Sequence, residues 1–128
     1  MTKIVCMCGS SRFVDIMAVC AWIIEREEKA ITMSLHLLPA WYTEVPHHLA
    51  EYQGVAQSMD ELHLRKIDLA DEIFVLNRDD YIGKSTGEEI GYAQDKHKII
   101  RWYTHDEIGL RVEEIIQKIF KKKEKNDD

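Results

Sequence analysis

The stretch that decides the fold is D-E-I-F-V-L-N-R-D-D-Y-I-G-K-S-T-G-E-E-I-G-Y, residues 71–92. Within it, Glu72–Leu76 is a short apolar run with β-branched and aromatic members, which is typical of a buried parallel strand. Residues 77–84 are polar and include Gly83, so they predict a loop. A helix is predicted after the loop, over residues 86–96. The stretch therefore predicts one strand, one loop and the start of one helix.

The start of this helix combines two hydroxyls with two carboxylates. Ser85 or Thr86 can cap the helix, and Glu88 or Glu89 stands where a capping box needs an acid. A loop between a parallel strand and a helix is also where open α/β sheets bind ligands, and the free N–H groups there attract phosphate. Two interpretations stay open: an ordinary capped helix, and a site where a carboxylate acts beside a bound phosphate.

On both sides of this stretch, the chain alternates between strand patterns and helix patterns. Such alternation predicts an α/β fold of three layers, Rossmann- or flavodoxin-like, with a parallel sheet of four or five strands, helices on both faces and right-handed crossovers. Besides the strand and helix already quoted, strands are predicted at residues 3–8, 31–37 and 98–103, and helices at residues 12–29, 55–70 and 106–123.

Composition indicates one globular domain. The chain has 128 residues with 45% hydrophobic and 31% charged content, and we expect a domain at residues 1–120 followed by a charged, disordered tail at 121–128. The net charge of −6 argues against nonspecific nucleic-acid binding, which needs a basic surface. No apolar run reaches the ~20 residues that span a bilayer, and the chain enters a strand pattern at once. We therefore expect a cytoplasmic protein with no membrane partner.

The cysteines are expected to be free thiols rather than partners in disulfide bonds. Cys6, Cys8 and Cys20 are odd in number and lie in apolar segments, so buried free thiols are expected. Cys6 and Cys8 would share one face of a strand, but a C-x-C pair alone does not make a zinc site. Adjacent His47 and His48 rarely ligate one ion together. The sequence therefore predicts no metal and no other cofactor.

The turn after the first strand is the second place where polar groups gather. Gly9 allows a tight turn, Ser10 and Ser11 offer hydroxyls at a helix start, and Arg12 offers a fork that fits phosphate. This is neither the dinucleotide fingerprint nor a P-loop. A helix cap with an exposed arginine explains the turn equally well.

Taken together, three motifs resemble those of the nucleoside 2-deoxyribosyltransferase family, in particular its 2′-deoxynucleoside 5′-phosphate N-hydrolase branch. They are C-G-S-S-R at residues 8–12, I-D-L-A-D-E-I-F-V-L-N at 67–77 and G-E-E-I-G-Y-A at 87–93. The resemblance covers residues 3–103, in the family's order and spacing. Each motif is short, and the ordered set is far more specific than any one of them.

The resemblance implies cleavage of a glycosidic bond in a small nucleotide or nucleoside. Glu89 would attack the anomeric carbon, displace the base and form a glycosyl-enzyme intermediate that water or another base resolves. We expect this carboxylate, near a helix N-terminus, to stay ionised. Arg12 favours a 5′-phosphorylated substrate, and a homodimer is plausible. The phosphate would be held by Ser10, Arg12 and Ser85, with Gly9, Ser11 and Thr86 in support.

One position departs from the family pattern. Where the family has an aspartate that binds the sugar and serves the leaving base, this chain has His63. Helical spacing places His63 on one stripe with Met59, Ile67 and Ala70, facing inward or toward a cleft rim. It can be an acid that protonates the leaving base, or a hydrogen-bonded histidine at the edge of the core.

Several further residues have open roles. Tyr92 can orient the catalytic glutamate or simply pack. Residues 38–48 form a predicted loop in which Trp41 or Tyr42 can stack on a base or plug the surface, and His36 can reach the cleft.

A nucleotide-binding or sensing module without turnover is the alternative function, since the family aspartate is missing. A flavodoxin-like redox protein is a weaker third reading, because the turns lack a clear flavin platform.

Overall fold

The computed structural model describes residues 1–35 and 54–126, with side chains up to residue 122. Four strands and four helices alternate along these ranges, with single 3₁₀ turns at Ser11–Phe13 and Arg78–Asp80. The strands are β1 (Ile4–Gly9), β2 (Ile31–Met33), β3 (Glu72–Leu76) and β4 (Ile99–Trp102), and the helices are α1 (Val14–Glu28), α2 (Ala56–Leu69), α3 (Lys84–Asp95) and α4 (Glu107–Asn126).

The strands form one parallel sheet in the order β2-β1-β3-β4. Residue Cys6 of β1 pairs with Met33 of β2 on one side and with Ile73 of β3 on the other. The predicted α/β fold with a parallel sheet is therefore confirmed, with four strands in the described part of the chain. Strand β2 ends at Met33, four residues before the end predicted for it.

Alternate residues of β1 face two separate cores, as expected for a strand that is covered on both faces. Val5 and Met7 belong to a core built with α1 and α4. Cys6 and Cys8 belong to a smaller core built with α2 and α3. The sheet is thus the middle of three layers, and the second core is the one that contains the candidate site.

The start of α3 differs from the prediction. The helix begins at Lys84, its N-cap is Gly83 and no side chain caps it. The amide of Gly87 already bonds to the carbonyl of Gly83 at 2.9 Å, so Ser85 and Thr86 lie inside the first turn. The predicted capping by Ser85 or Thr86 is therefore wrong. The N-cap is Gly83 in an extended conformation, and glycine has no side chain that could cap the helix.

Other boundaries shift by smaller amounts. The predicted helix at residues 12–29 is a 3₁₀ turn at Ser11–Phe13 followed by α1. Helix α4 runs on to Asn126, so most of the segment predicted as a tail is helical. No helix in the described ranges is long and apolar enough to cross a membrane. The predicted loop at residues 38–48, with Trp41, Tyr42, His47 and His48, lies outside the described residues, and so does His36.

Candidate functional site

The candidate site lies where the carboxyl ends of β1 and β3 meet. The chain leaves β1 for β2 on one side and later returns as β3 on the other, and such a switch point is where open α/β sheets bind ligands. Gly9 ends β1 opposite Leu76, and a Cβ at Gly9 would lie 2.8 Å from the Leu76 Cβ. The glycine therefore allows the two strand ends to approach closely, and it brings the turns that follow them side by side.

The two turns touch through an aromatic ring. The guanidinium carbon of Arg12 lies 3.8 Å from the ring centroid of Tyr81, a residue of the loop before α3. The ring of Phe13 meets the same tyrosine edge-on, with centroids 6.2 Å apart. Arg12 is exposed. The structure thus places the arginine of the first turn on the loop that leads to Glu89.

The hydroxyls of these turns have mixed surroundings. The Ser10 hydroxyl accepts a hydrogen bond from the Arg12 amide at 3.2 Å and so caps the 3₁₀ turn. Ser11 is half-buried, Ser85 is exposed and Thr86 is buried. Capping thus accounts for Ser10, whereas the exposed Ser85 is open to a ligand.

The second core contains a cluster of four buried polar groups, Cys6, Cys8, His63 and Glu89, here called the buried cluster. His63 of α2 is 5% exposed and Glu89 of α3 is 6% exposed. The Nε2 of His63 lies 3.8 Å from Glu89 Oε2 and 3.6 Å from the sulfur of each cysteine. His63 therefore faces inward as predicted, and the two residues predicted as catalytic are neighbours.

Burial controls the protonation of Glu89. Desolvation raises its pKa to about 7, and the nearby His63 only partly opposes this shift. We expected Glu89 to stay ionised near a helix N-terminus. Because α3 begins at Lys84, Glu89 lies in the second turn, where the influence of the helix end has faded. That expectation is corrected: burial, rather than the helix N-terminus, dominates the pKa of Glu89 and raises it.

His63 and the two thiols share protons with this carboxyl group. Burial acts to lower the pKa of His63, but the hydrogen bond with Cys6 and the charge of Glu89 outweigh it and raise the pKa. The hydrogen bond from Cys8 lowers the pKa of Cys6, and the same bond raises the pKa of Cys8. The buried cluster can therefore hold a proton on His63 while Glu89 is ionised, which suits acid–base chemistry.

Tyr92 joins two helices. Its hydroxyl donates to Asp68 Oδ1 at 2.5 Å and accepts from Arg65 Nη2 at 3.0 Å, so it links α3 to α2. Its ring packs at the margin of the second core. These contacts support the packing interpretation of Tyr92 over a role in orienting Glu89.

Sequence reasoning did not include the cysteines in the site. Their alternation placed Cys6 and Cys8 on one face of β1, but nothing in the sequence told which helix covers that face. All three cysteines are buried and free, as predicted. Cys20 lies apart from the other two, in the core that α1 and α4 form.

Comparison with known proteins assigns this chain to no family. No model of a protein family matches this chain, and no curated protein matches it significantly. The roles of Glu89, His63 and the phosphate-binding residues therefore stay predictions that rest on the motifs and on the geometry of the site.

Proposed function

We propose that the protein cleaves the N-glycosidic bond of a nucleoside 5′-monophosphate, with Glu89 as the nucleophile, and passes the sugar to water or to another base. The observation that carries the proposal is the buried pair of Glu89 and His63 beside the switch point of a parallel sheet. Among the described residues, Glu89 Oε2 is the buried side-chain oxygen or nitrogen without a hydrogen-bond partner. Such an oxygen keeps a lone pair free for attack.

The proposed reaction follows from the protonation of this pair. The active form has ionised Glu89 and protonated His63. The carboxylate attacks the anomeric carbon, the C–N bond breaks, its electron pair leaves with the base, and His63 delivers its proton to the departing nitrogen. Water, or an acceptor base, then attacks the anomeric carbon of the glycosyl ester, and Glu89 leaves as the carboxylate, with net retention. The proton that the attacking group loses returns to His63, which restores the active form.

The phosphate would lie over the adjacent turns. Arg12 offers a charge-assisted fork, and it stacks on Tyr81, in the loop that leads to the helix turn with the exposed Ser85. Ser10, Gly9, Ser11 and Thr86 shape the rest of this anion pocket. The proposal includes a homodimer, as the family resemblance implies, and the cytoplasmic location that we expect from the sequence.

The test is a panel of ribo- and deoxynucleoside 5′-monophosphates incubated with the purified protein. Free base is measured by chromatography, with and without an added acceptor base. We expect release of base from at least one monophosphate, and exchange of bases in the presence of an acceptor would make the protein a transferase. Absence of release from every substrate contradicts the glycosidase proposal.

A second candidate function is a nucleotide-binding module without turnover. The observation that favours it is the burial of Glu89, which raises its pKa to about 7, because such a carboxyl group is only about half ionised at neutral pH and its protonated form is a poor nucleophile. Saturable binding of monophosphates, measured by calorimetry, without release of base would favour this candidate.

Replacement of Arg12 tests the choice of a phosphorylated substrate. For Arg12→Met we expect KM to rise roughly 10- to 100-fold for the monophosphate and to change less than about twofold for the matching nucleoside. The reason is that a charge-assisted hydrogen bond contributes about 1.5–3 kcal/mol. Steady-state kinetics on both substrates provide the measurement.

The matched control for Arg12 is Arg26→Met, which removes an arginine near the other end of α1, where it pairs with Glu27. It should leave both KM values unchanged. An equal effect of Arg12→Met on nucleotide and nucleoside would mean that Arg12 does not bind the phosphate.

A further inference from the structure

The buried cluster also has the composition of a metal site. Within the described ranges, Cys6, Cys8 and His63 form a group whose ligand atoms all lie within 4.8 Å of one another. We propose that Cys6, Cys8 and His63 bind a zinc ion, with Glu89 as the fourth ligand. The cysteine pair alone predicted no metal site, because the third ligand comes from α2, 55 residues along the chain from Cys8.

The distances fit tetrahedral zinc. A Zn–S bond of about 2.3 Å and a Zn–N bond of about 2.0 Å at the tetrahedral angle place sulfur and nitrogen about 3.5 Å apart. The Nε2 of His63 lies 3.6 Å from Cys6 Sγ and 3.6 Å from Cys8 Sγ. Both sulfur–nitrogen distances therefore fit an ion shared by His63 and either cysteine. The two sulfurs lie within 4.8 Å of each other, where about 3.8 Å is expected for two sulfurs on one zinc ion.

Glu89 supplies an independent observation. It is more than nine-tenths buried, and its Oε2 has no hydrogen-bond partner among the described residues. That oxygen lies 3.8 Å from His63 Nε2, whereas two ligands of one zinc ion, nitrogen and oxygen, lie about 3.4 Å apart. Glu89 lies beside the group of three ligand atoms rather than within it, so its side chain would turn toward the two sulfurs to complete the coordination, and this buried oxygen would thereby gain a partner.

The donor set selects the metal. Two thiolates and one imidazole suit zinc, a borderline-soft ion, whereas magnesium and calcium prefer oxygen ligands. Each thiol that binds the ion gives up its proton to solvent. A site with two sulfurs, one nitrogen and one carboxylate oxygen has four protein ligands, which is the closed arrangement of structural zinc sites.

This proposal does not rest on the glycosidase function. Binding of zinc is measured without any nucleotide. A chain that binds zinc and releases no base therefore upholds the zinc proposal and contradicts the glycosidase proposal. If both hold, zinc occupies His63 Nε2 and Glu89 Oε2, and it should inhibit release of base until a chelator removes it.

The first experiment uses the wild-type chain, reduced and freed of metal with a chelator. Zinc is titrated in competition with a chromogenic indicator, and cobalt(II) is added to a second sample as a spectroscopic probe. We expect one zinc ion per chain and, with cobalt, a sulfur-to-metal charge-transfer band together with the intense visible bands of tetrahedral cobalt. Lack of stoichiometric zinc binding, or a cobalt spectrum without the sulfur band, overturns the proposal.

Variants locate the site. Cys8→Ala and His63→Ala should each weaken zinc binding more than about 100-fold, since even partners outside the ligand set change metal affinity 10- to 100-fold. Cys20→Ala is the matched control, because Cys20 is equally buried but lies in the other core, and it should bind zinc as the wild type does. Unchanged affinity in both ligand variants overturns the proposal. The cobalt spectrum needs no substitution, so it decides the question if a variant does not fold.

Discussion

Replacement of Glu89 by glutamine is expected to reduce release of base roughly 1,000-fold or more, since an amide cannot form the glycosyl ester on which turnover depends. The substitution preserves the shape of the side chain at a buried position, and it removes the charge that the proposed attack needs. Binding of the monophosphate should survive, because Arg12 and Ser85 belong to other turns. Initial rates and binding calorimetry on the same preparation measure both quantities.

The chain offers a close control for this substitution. Glu88 is the sequence neighbour of Glu89 on α3, yet it is exposed whereas Glu89 is buried. Glu88→Gln should therefore leave the rate within about twofold of the wild type, because an exposed acid on a helix has no part in the proposed chemistry. Equal losses in the two variants, or full activity in Glu89→Gln, would contradict the role given to Glu89.

The covalent intermediate gives a second readout. When a turnover mixture of the wild type is quenched in acid, intact mass spectrometry should show a fraction of the chain with the mass of one added glycosyl phosphate, and peptide mapping should place it on Glu89. The Glu89→Gln variant should show none. A wild type that releases base without such an adduct would point to direct attack by water, with Glu89 as a base.

The fold could be predicted from the sequence because its signals are local. The apolar run of β3 has the predicted bounds, Glu72–Leu76, since a buried parallel strand needs an unbroken hydrophobic segment. The start of α3 could not be predicted as well. Gly83, Ser85 and Thr86 all satisfy the rules for an N-cap, and only the backbone shows that the glycine is used.

The candidate site was predictable only in part. In a parallel sheet the carboxyl ends of neighbouring strands share an edge, so the turns after β1 and β3 are expected to meet. The stacking of Arg12 on the ring of Tyr81 is a contact between these two turns. The neighbours of His63 were not predictable. Helical spacing places His63 inward or toward a cleft rim, and the structure shows it buried. The two thiols it meets come from β1, and the choice of helix that covers each face of β1 depends on the whole topology.

Among the substitutions discussed, replacement of Arg101 by methionine is expected to lower the free energy of unfolding most. Arg101 of β4 binds Glu28 at 2.8 Å, Asp106 at 2.9 Å and Glu72 at 3.3 Å, and its side chain is 15% exposed. Removal of the cation leaves three partly buried carboxylates close together, and among the described residues Lys3 still pairs with two of them, Glu28 and Glu72. We expect the free energy of unfolding at pH 7 to fall by about 3 kcal/mol, as measured by urea denaturation.

The pH dependence separates this charge effect from a loss of packing. The hydrogen bond from Arg101 holds the pKa of Glu28 below its ordinary value of 4.5. A carboxyl group whose pKa is lower in the folded state contributes stability above the unfolded pKa, and this contribution disappears as the pH falls through the folded pKa. The variant lacks the contribution at every pH. The difference between wild type and Arg101→Met should therefore be full at pH 7 and shrink as the pH drops below about 4.5, where Glu28 of the variant is protonated. A difference that stays constant down to pH 3 would mean that the aliphatic part of Arg101 matters more than its charge.

An exposed ion pair at the same end of α1 provides the control. Arg111 of α4 forms a two-point contact with Glu27 of α1, with both bonds at 2.8 Å. The distances match those of Arg101, but water solvates this pair and weakens its attraction. Arg111→Met should therefore cost far less stability than Arg101→Met. Equal losses would show that pairing of charges across α1 and α4, rather than burial of Arg101 among carboxylates, holds this end of the sheet together.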